Sequence, residues 1–413
     1  MRCAWWCVCL AAIAAVAFGC ARQGGKDPEA AGSPSPEVPR ALVDGNTAFA
    51  LDLYSKLRSG EGNIFLSPFS VSVALAMAYG GAGGETATEM GKVLHFTMPS
   101  GETHAGFGAL RSALTAAGST EGIRLRLANA SWLDKHCKLR PEYTSLLRQW
   151  YGATPQTADF SGAPEEALQA INAWVARETE EKIRELIRRS DLSRETTLVL
   201  VNAVYFKGMW ASKFPQAGTR EQDFTVPRVG RVRVPMMFQK KKFGYAEVGD
   251  VKVLEMPYVG KRLAMVVLLP QAADGLPRLE QGLSMAKLRD WLGQLTECEV
   301  NVSLPKFRIE WGTTDLVKPL QALGMRKAFE PGAADFPGLA DCPSFITHVL
   351  HKSYVDVGEE GTEAAAATGV MMARSVSLVK SLRADHPFLF LLRDRQTGSI
   401  LFLGRLVDPR VTK

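Results

Sequence analysis

Glu359-Glu360-Gly361-Thr362-Glu363-Ala364-Ala365-Ala366-Ala367-Thr368 is the stretch on which the fold turns. It follows the extended run Ser353-Tyr354-Val355-Asp356-Val357. A tract without helical or strand periodicity comes next, and then the strand-like His386-Pro387-Phe388-Leu389-Phe390-Leu391-Leu392. Small side chains thus fill a connection of more than twenty residues between two strands, a length that in compact domains marks functional or disordered segments. Four consecutive alanines make a poor disordered linker and a poor fixed strand. Each adds only a methyl group, so the segment suits sliding into a crowded sheet. In a strand, alternate side chains share a face. Thr362, Ala364, Ala366 and Thr368 then fall on one phase and Glu363 on the other. An inward phase of that composition carries no charge to oppose burial. Gly361 gives the head of the segment a permissive backbone.

The rest of the chain reads as an exported globular protein. Its 413 residues are 46% hydrophobic and 22% charged, with a net charge of +6, which is ordinary for a soluble domain. Residues 1–20 read as a signal: Arg2 gives a positive start, and Ala4 to Phe18 is almost entirely apolar. That run falls short of the ~20 apolar residues of a membrane span. Ala17-Phe18-Gly19-Cys20 resembles a bacterial lipoprotein box, in which the cysteine is lipidated and becomes the mature N-terminus. Ala17 stands where leucine is usual, and plain cleavage near Gly19 is the alternative. Residues 21–40 are rich in Gly, Pro, Ser and Ala and read as a flexible tether. The expectation is a membrane-anchored lipoprotein or a secreted protein, periplasmic or extracellular, with its folded domain over residues 41–413. Cys137, Cys298 and Cys342 show no Cys-x-x-Cys spacing, so no metal is expected. Their odd, sparse number argues against a disulfide framework, which leaves stability to a large core.

Along that domain, Ala41 to Arg58 reads as an amphipathic helix. Asn63 to Leu66 is a short strand. Ser67-Pro68 opens a helix with Ser as N-cap and Pro at the first helical position. Val71 to Tyr79 is apolar all round, as in a buried helix, and Gly80 to Gly84 stops it. Thr86 and Glu89 have capping-box spacing for the next helix. Leu125 to Leu133 reads as a strand, Pro164 to Arg189 as a helix, and Thr196 to Phe206 as a central strand. Further strands are predicted at 232–234, 251–256, 263–269, 299–307, 348–357, 388–393 and 400–406, with a helix at 314–323. Lys240-Lys241-Lys242 reads as a solvated turn between strands. Helices come first and strands later without a βαβ rhythm, so the class is α+β.

Several of these segments resemble the serpin family, in order and at its spacings. They are Asn63-Ile64-Phe65-Leu66-Ser67-Pro68-Phe69-Ser70, Val201 to Trp210, Leu254-Glu255-Met256-Pro257-Tyr258, Val266 to Pro270, Leu304-Pro305-Lys306-Phe307, Pro387 to Phe390, and Phe402 to Pro409. The resemblance covers essentially everything after residue 41. It implies three β-sheets, eight or nine helices and an exposed reactive-centre loop. It also implies a one-shot, monomeric protease trap with no catalysis of its own and no cofactor. A serine protease attacks the loop and forms an acyl-enzyme; the cut loop then inserts into the main sheet and carries the protease away. Noninhibitory members often carry a bulky, charged or proline residue in the hinge, and this chain has none.

The same resemblance assigns roles to single residues. Ser67, Ser70, Asn202 and His351 match the shutter that governs sheet opening, and Trp210 matches the breach where the hinge first inserts. Counting along the hinge places the cut at Ser375-Val376, and counting back from Pro387 places it about one residue further on. Arg374-Ser375, one residue earlier, resembles the bond of trypsin-targeting members and is preferred. Met371, Met372 or Ser375 as bait would turn the target toward elastase-like or chymotrypsin-like enzymes. Inhibition of cysteine proteases stays open at this point, as does a serpin-fold carrier, chaperone or adhesin that inhibits nothing. No Gly-x-Ser-x-Gly elbow and no local Cys/His pair supports a hydrolase. Arg111 is the only basic residue near Gly106 to Gly118, where the family binds glycosaminoglycans, and no nucleic-acid partner is expected.

Overall fold

Ser67 fixes the start of the first buried helix. Its Oγ accepts the Ser70 backbone N–H at 3.3 Å, and Pro68 takes the first helical position, where a missing N–H costs nothing. The computed structural model describes residues 37–362 and 379–410. Among them the helices are α1 (Arg40–Leu57), α2 (Pro68–Tyr79), α3 (Gly84–Val93), α4 (Ser100–Gly118), α5 (Pro141–Leu146), α6 (Pro164–Glu178), α7 (Leu276–Gly282), α8 (Met285–Gly293) and α9 (Val317–Leu323). The strands are β1 (Ile64–Leu66), β2 (Ile123–Asp134), β3 (Gln156–Ala158), β4 (Leu198–Met209), β5 (Arg220–Val226), β6 (Gly230–Val248), β7 (Val251–Pro257) and β8 (Leu263–Pro270). They continue with β9 (Thr296–Pro305), β10 (Phe307–Asp315), β11 (Ile346–Val357), β12 (Gly361–Thr362), β13 (Lys380–Arg383), β14 (Phe388–Asp394) and β15 (Ile400–Leu406). The α+β class stands.

One sheet runs β10-β11-β12-β4-β2-β3. The other runs β1-β15-β14-β8-β7-β6-β9-β13, with β5 on β6. Two of the three expected sheets join through β6, whose 19 residues pair β5 near one end and β7 near the other. β4 is buried on both faces. Leu198, Leu200, Val204 and Phe206 join the main core with α2. Val199, Val201 and Ala203 pack with Ile171, Val175, Ile183, Leu186 and Ile187 in a second cluster.

Several expectations need correction. The helix foreseen to Arg189 stops at Glu178. Thr179 Oγ1 bonds to Val175 O and takes the Ile183 N–H, and Glu180 and Glu181 have positive φ. The chain then turns back so that Asn172 Oδ1 accepts the N–H groups of Leu186 and Ile187. Burying Ile183, Leu186 and Ile187 on the sheet outweighs continuing the helix. Thr86 and Glu89 form no capping box, because α3 already begins at Gly84. Thr86 Oγ1 instead takes the Asp335 N–H, and Glu89 Oε2 those of Arg326 and Lys327. Lys240 to Lys242 is not a turn: it lies within β6, opposite Glu299 to Asn301 of β9. Thr314 and Asp315 extend β10 and do not open α9. Finally, Cys137 and Cys342 form a disulfide, with Cα atoms 5.5 Å apart and a sequence separation of 205. Nothing in the cysteine spacing hinted that the turns carrying them meet.

Candidate functional site

The site is a seam in the six-stranded sheet. β4 and β11 run parallel and pair from Leu198↔Ile346 to Tyr205↔Tyr354. Above that point they part, and β12 sits between them. Thr362 lies opposite both Val357 and Gly208, and Gly361 lies opposite Met209. The first residues of the alanine-rich arm therefore already occupy the upper end of the seam. Gly358 and Gly361 exchange backbone hydrogen bonds of 2.8 and 3.2 Å to close the fold-over. Gly361 has φ +150°, and a Cβ there would overlap the Gly208 carbonyl oxygen and stand 2.6 Å from Met209 Cα. No other residue fits that position.

Polar and aromatic contacts hold the fold-over in place. Trp210 donates its backbone N–H to Glu360 O at 2.8 Å and its ring N–H to Gly358 O at 3.0 Å. Its indole stacks on Tyr258 at 4.5 Å, an arrangement that favours aromatic pairs. Tyr258 is buried, and its hydroxyl lies 3.0 Å from Thr362 Oγ1. Burial raises the Tyr258 pKa, and the Thr362 contact lowers it in part, so the phenol stays protonated. Glu359 is pinned by Lys306 at 2.9 Å and Thr219 at 2.8 Å. Burial pushes the Glu359 carboxyl up, but the Lys306 hydrogen bond, its own backbone and Thr219 outweigh that and hold it below the usual range. Glu360 pairs with Lys213. Of these contacts, the sequence pointed to Trp210 and the hinge. Tyr258 and Lys306 sat in the quoted strand signatures, but nothing in those signatures said they would face the hinge. Lys213 and Thr219 carried no signal.

Lower in the seam lies the polar network expected from Ser67, Ser70, Asn202 and His351, and the structure brings all four together. His351 and Asn202 are opposite one another across β4 and β11, and the His351 ring nitrogen Nδ1 bonds Asn202 Oδ1. His351 Nε2 accepts the Ser67 backbone N–H at 3.2 Å, so Nδ1 carries the proton and the ring is neutral. Asn202 Nδ2 donates to Ser70 Oγ at 2.6 Å and also to Asn129 Oδ1, and Ser70 Oγ donates to Asn129 Oδ1 at 3.0 Å. Ser67 Oγ reaches Leu401 O at 2.7 Å. Asn129, on β2, carried no signal in the sequence.

Burial lowers the His351 pKa to about 3. A second proton would set an Nε2–H against the Ser67 N–H. The unfolded chain, with a histidine near 6.5, binds more protons between pH 6.5 and 3. Stability from this group is therefore full above pH 6.5 and falls by about 1.4 kcal/mol per pH unit below it. Thermal melts should show wild type losing more stability between pH 7 and 5 than His351→Gln; equal losses would remove His351 as a cause.

Asp134, His136 and Asp159 bring possible metal-ligand atoms within 4.8 Å of one another. Lys135 Nζ already sits 2.7 Å from Asp159 Oδ2, so a cation occupies that corner. Glu363, Ala364, Ala365, Ala366, Ala367, Thr368, Arg374, Ser375, Val376 and Cys20 lie outside the described residues.

A family model described as Serpin (serine protease inhibitor) matches residues 44–409. Leukocyte elastase inhibitor of Bos taurus is 44% identical over 381 residues, 89% of this chain and 99% of that one. Among solved structures, Serpin48 of the insect Tenebrio molitor is 34% identical, with coverage of 89% and 98% and a TM-score of 0.80. Human thyroxine-binding globulin complexed with thyroxine is 32% identical, with coverage of 90% and 99% and a TM-score of 0.81. A family match over most of its length, together with a seam whose upper end already holds the start of the hinge, shows that this chain belongs to the serpin family.

Proposed function

We propose that this serpin is an irreversible, suicide-substrate inhibitor of serine proteases and has no catalytic turnover of its own. The observation that carries this reading is Thr362, fully buried between β4 and β11. A strand has been started there, and the residues that follow it in the inward phase are uncharged. The protease serine attacks the Arg374 carbonyl carbon, the Arg374–Ser375 bond breaks, and the Ser375 amine leaves with a proton. The freed arm then extends β12 down the seam, gaining main-chain hydrogen bonds on both sides, and takes the ester-linked protease with it. Such a fold is held kinetically until it is cut. The partnership is a covalent complex between one inhibitor and one protease.

Arg374 supports a trypsin-like target, because a guanidinium pairs with an acidic pocket floor. The relatives named as leukocyte elastase inhibitors favour a second reading, in which Met371, Met372 or Ser375 is the bait and the cut falls directly after it, at Ser375-Val376 for the last of these. The thyroxine-binding neighbour means that the fold alone does not establish inhibition; the uncharged inward phase favours the trap. The test is incubation with trypsin and with elastase, followed by a denaturing gel and mass spectrometry of the released fragment. An SDS-stable band with a fragment starting at Ser375 supports the trypsin-like reading. Arg374→Ala should slow trypsin inhibition at least ~100-fold, the scale of losing a charged pocket contact. An unchanged rate moves the bait to a neighbour.

Residues 1–20 are proposed as the export signal, and lipidated Cys20 with the 21–40 tether as the anchor that presents the 41–413 domain at a membrane. Cys20→Ser should shift the protein from the membrane fraction to the soluble one; unaltered fractionation leaves simple secretion.

A further inference from the structure

The disulfide lies where the seam would have to open last. β2 and β4 stand on one side of the seam, and β11 stands on the other. Leu133, Leu198 and Ile346 are level with one another at the end of the sheet away from Trp210. Cys137 follows just beyond the end of β2, and Cys342 comes just ahead of β11. The bond between them ties the two sides together. Hydrogen bonds reinforce the tie. Lys138 N–H reaches Asp341 Oδ1 at 2.7 Å. Asp341 N–H reaches Lys138 O at 3.0 Å, and Arg140 N–H reaches Leu339 O at 3.0 Å. Leu139 and Ala340 form an isolated bridge in the same place. Among the described residues no other disulfide crosses the seam.

A full-length new strand would move β4 and β11 from neighbours at ~4.8 Å to second neighbours at ~9.6 Å. A disulfide holds its Cα atoms within ~7 Å, and here they are 5.5 Å apart. The lower ends can separate fully only if the two turns deform and the Lys138–Asp341 and Arg140–Leu339 contacts tear. The upper end, ~36 Å away by the rise along β4, carries no such restraint.

We propose that the Cys137–Cys342 disulfide is a redox-controlled clamp on the lower seam: when oxidised it resists the last part of sheet opening, and when reduced it releases it. The inference rests on the insertion reading above and deepens it, because a late stall gives the protease time to hydrolyse its acyl bond. Release needs a dithiol reductant. One of its thiolates attacks a bridge sulfur and displaces the other cysteine as thiolate. Its second thiol then frees the first cysteine. Two electrons and two protons pass to the protein, and the reductant leaves as a cyclic disulfide.

The experiment compares the full chain oxidised, the same chain treated with dithiothreitol, and the Cys137→Ser/Cys342→Ser variant, with Cys298→Ser as a thiol control. Two quantities are read: moles of inhibitor consumed per mole of protease, and amide hydrogen exchange in Leu198–Asn202 and Ile346–Leu350. The proposal expects more inhibitor consumed by the oxidised form. It also expects exchange at the lower seam to be about fivefold or more faster after reduction or in the double variant, the lower range of coupling between separated sites. Cys298→Ser should keep the full redox response. Equal consumption and equal exchange, with covalent bands in every form, overturn the clamp and leave the inhibitor standing. If no form gives a covalent band with trypsin or elastase, the inhibitory reading fails, and exchange alone then decides the clamp: equal rates overturn it.

Discussion

Thr362→Arg should be cut by its target protease and leave no SDS-stable band. Thr362 is fully buried, flanked by Val357 and Gly208, with its hydroxyl 3.0 Å from Tyr258. An arginine there would place a guanidinium against Tyr258, whose ring packs on Phe206 and Trp210. The hinge carboxylates Glu359 and Glu360 are already paired with Lys306 and Lys213. An uncompensated buried charge costs about 3–5 kcal/mol. Because Thr362 is already buried in the uncut protein, the arginine would turn the start of β12 out of the seam, and insertion would have to return the charge against that penalty. At ~1.4 kcal/mol per tenfold, insertion would slow by about two to three and a half orders of magnitude, long enough for the acyl-enzyme to hydrolyse. Thr362→Val keeps the shape and adds no charge, so it should still trap protease. A gel on which Thr362→Arg forms complex as fully as wild type would remove the insertion mechanism from this position.

Asn202→Ala should melt about 5 °C or more below wild type and exchange the seam amides faster. Asn202 is fully buried and bonds His351 across the seam and Ser70 and Asn129 on its own side. Truncation leaves the His351 Nδ1–H facing an apolar gap. That orphan costs about 1–3 kcal/mol, and the cavity adds to it. Ser70 and Asn129 keep their mutual bond, which limits the damage. The effect on function has a definite sign. Because the His351–Asn202 bond spans the line along which β4 and β11 separate, its loss should ease opening and speed spontaneous loop insertion in the uncut protein. A variant that melts with wild type and exchanges no faster would show that the network does not hold the seam.

The sequence carried the site further than it carried its surroundings. Four small side chains and a glycine read as a segment built for insertion; of that segment, Gly361 and Thr362 lie in β12 between β4 and β11. Ser67-Pro68 marked the start of α2 because capping chemistry is local. What stayed hidden depends on distant partners. Thr86 and Glu89 have capping spacing, yet they bind a loop about 240 residues away. Lys240 to Lys242 looks like a turn on its own, but β9 supplies a ladder for it. The helix beyond Glu178 gave way to tertiary burial, which intrinsic propensity does not report. The disulfide was missed because it joins two turns that are close only once β2 and β11 lie in one sheet.

The order of the strands bears on how the newborn chain matures. β8, buried along its whole length, pairs on one side with β14, and β14 pairs in turn with β15, which pairs with β1. Those two closing strands occupy Phe388–Leu406 and are made after every strand they join. At ~5–20 residues per second on the ribosome, β8 and β1 wait for their neighbours while the alanine arm has already emerged. An arm free at that moment can fill the gap beside β4 prematurely. β13 pairing with β9, and β14 docking on β8, draw the far end of the loop onto the other sheet and away from that gap. Under the proposed insertion mechanism, deleting residues 380–413, which removes β13, β14 and β15 together, would therefore do more than expose an edge: it would favour a dead-end product that has spent its spring before meeting any enzyme.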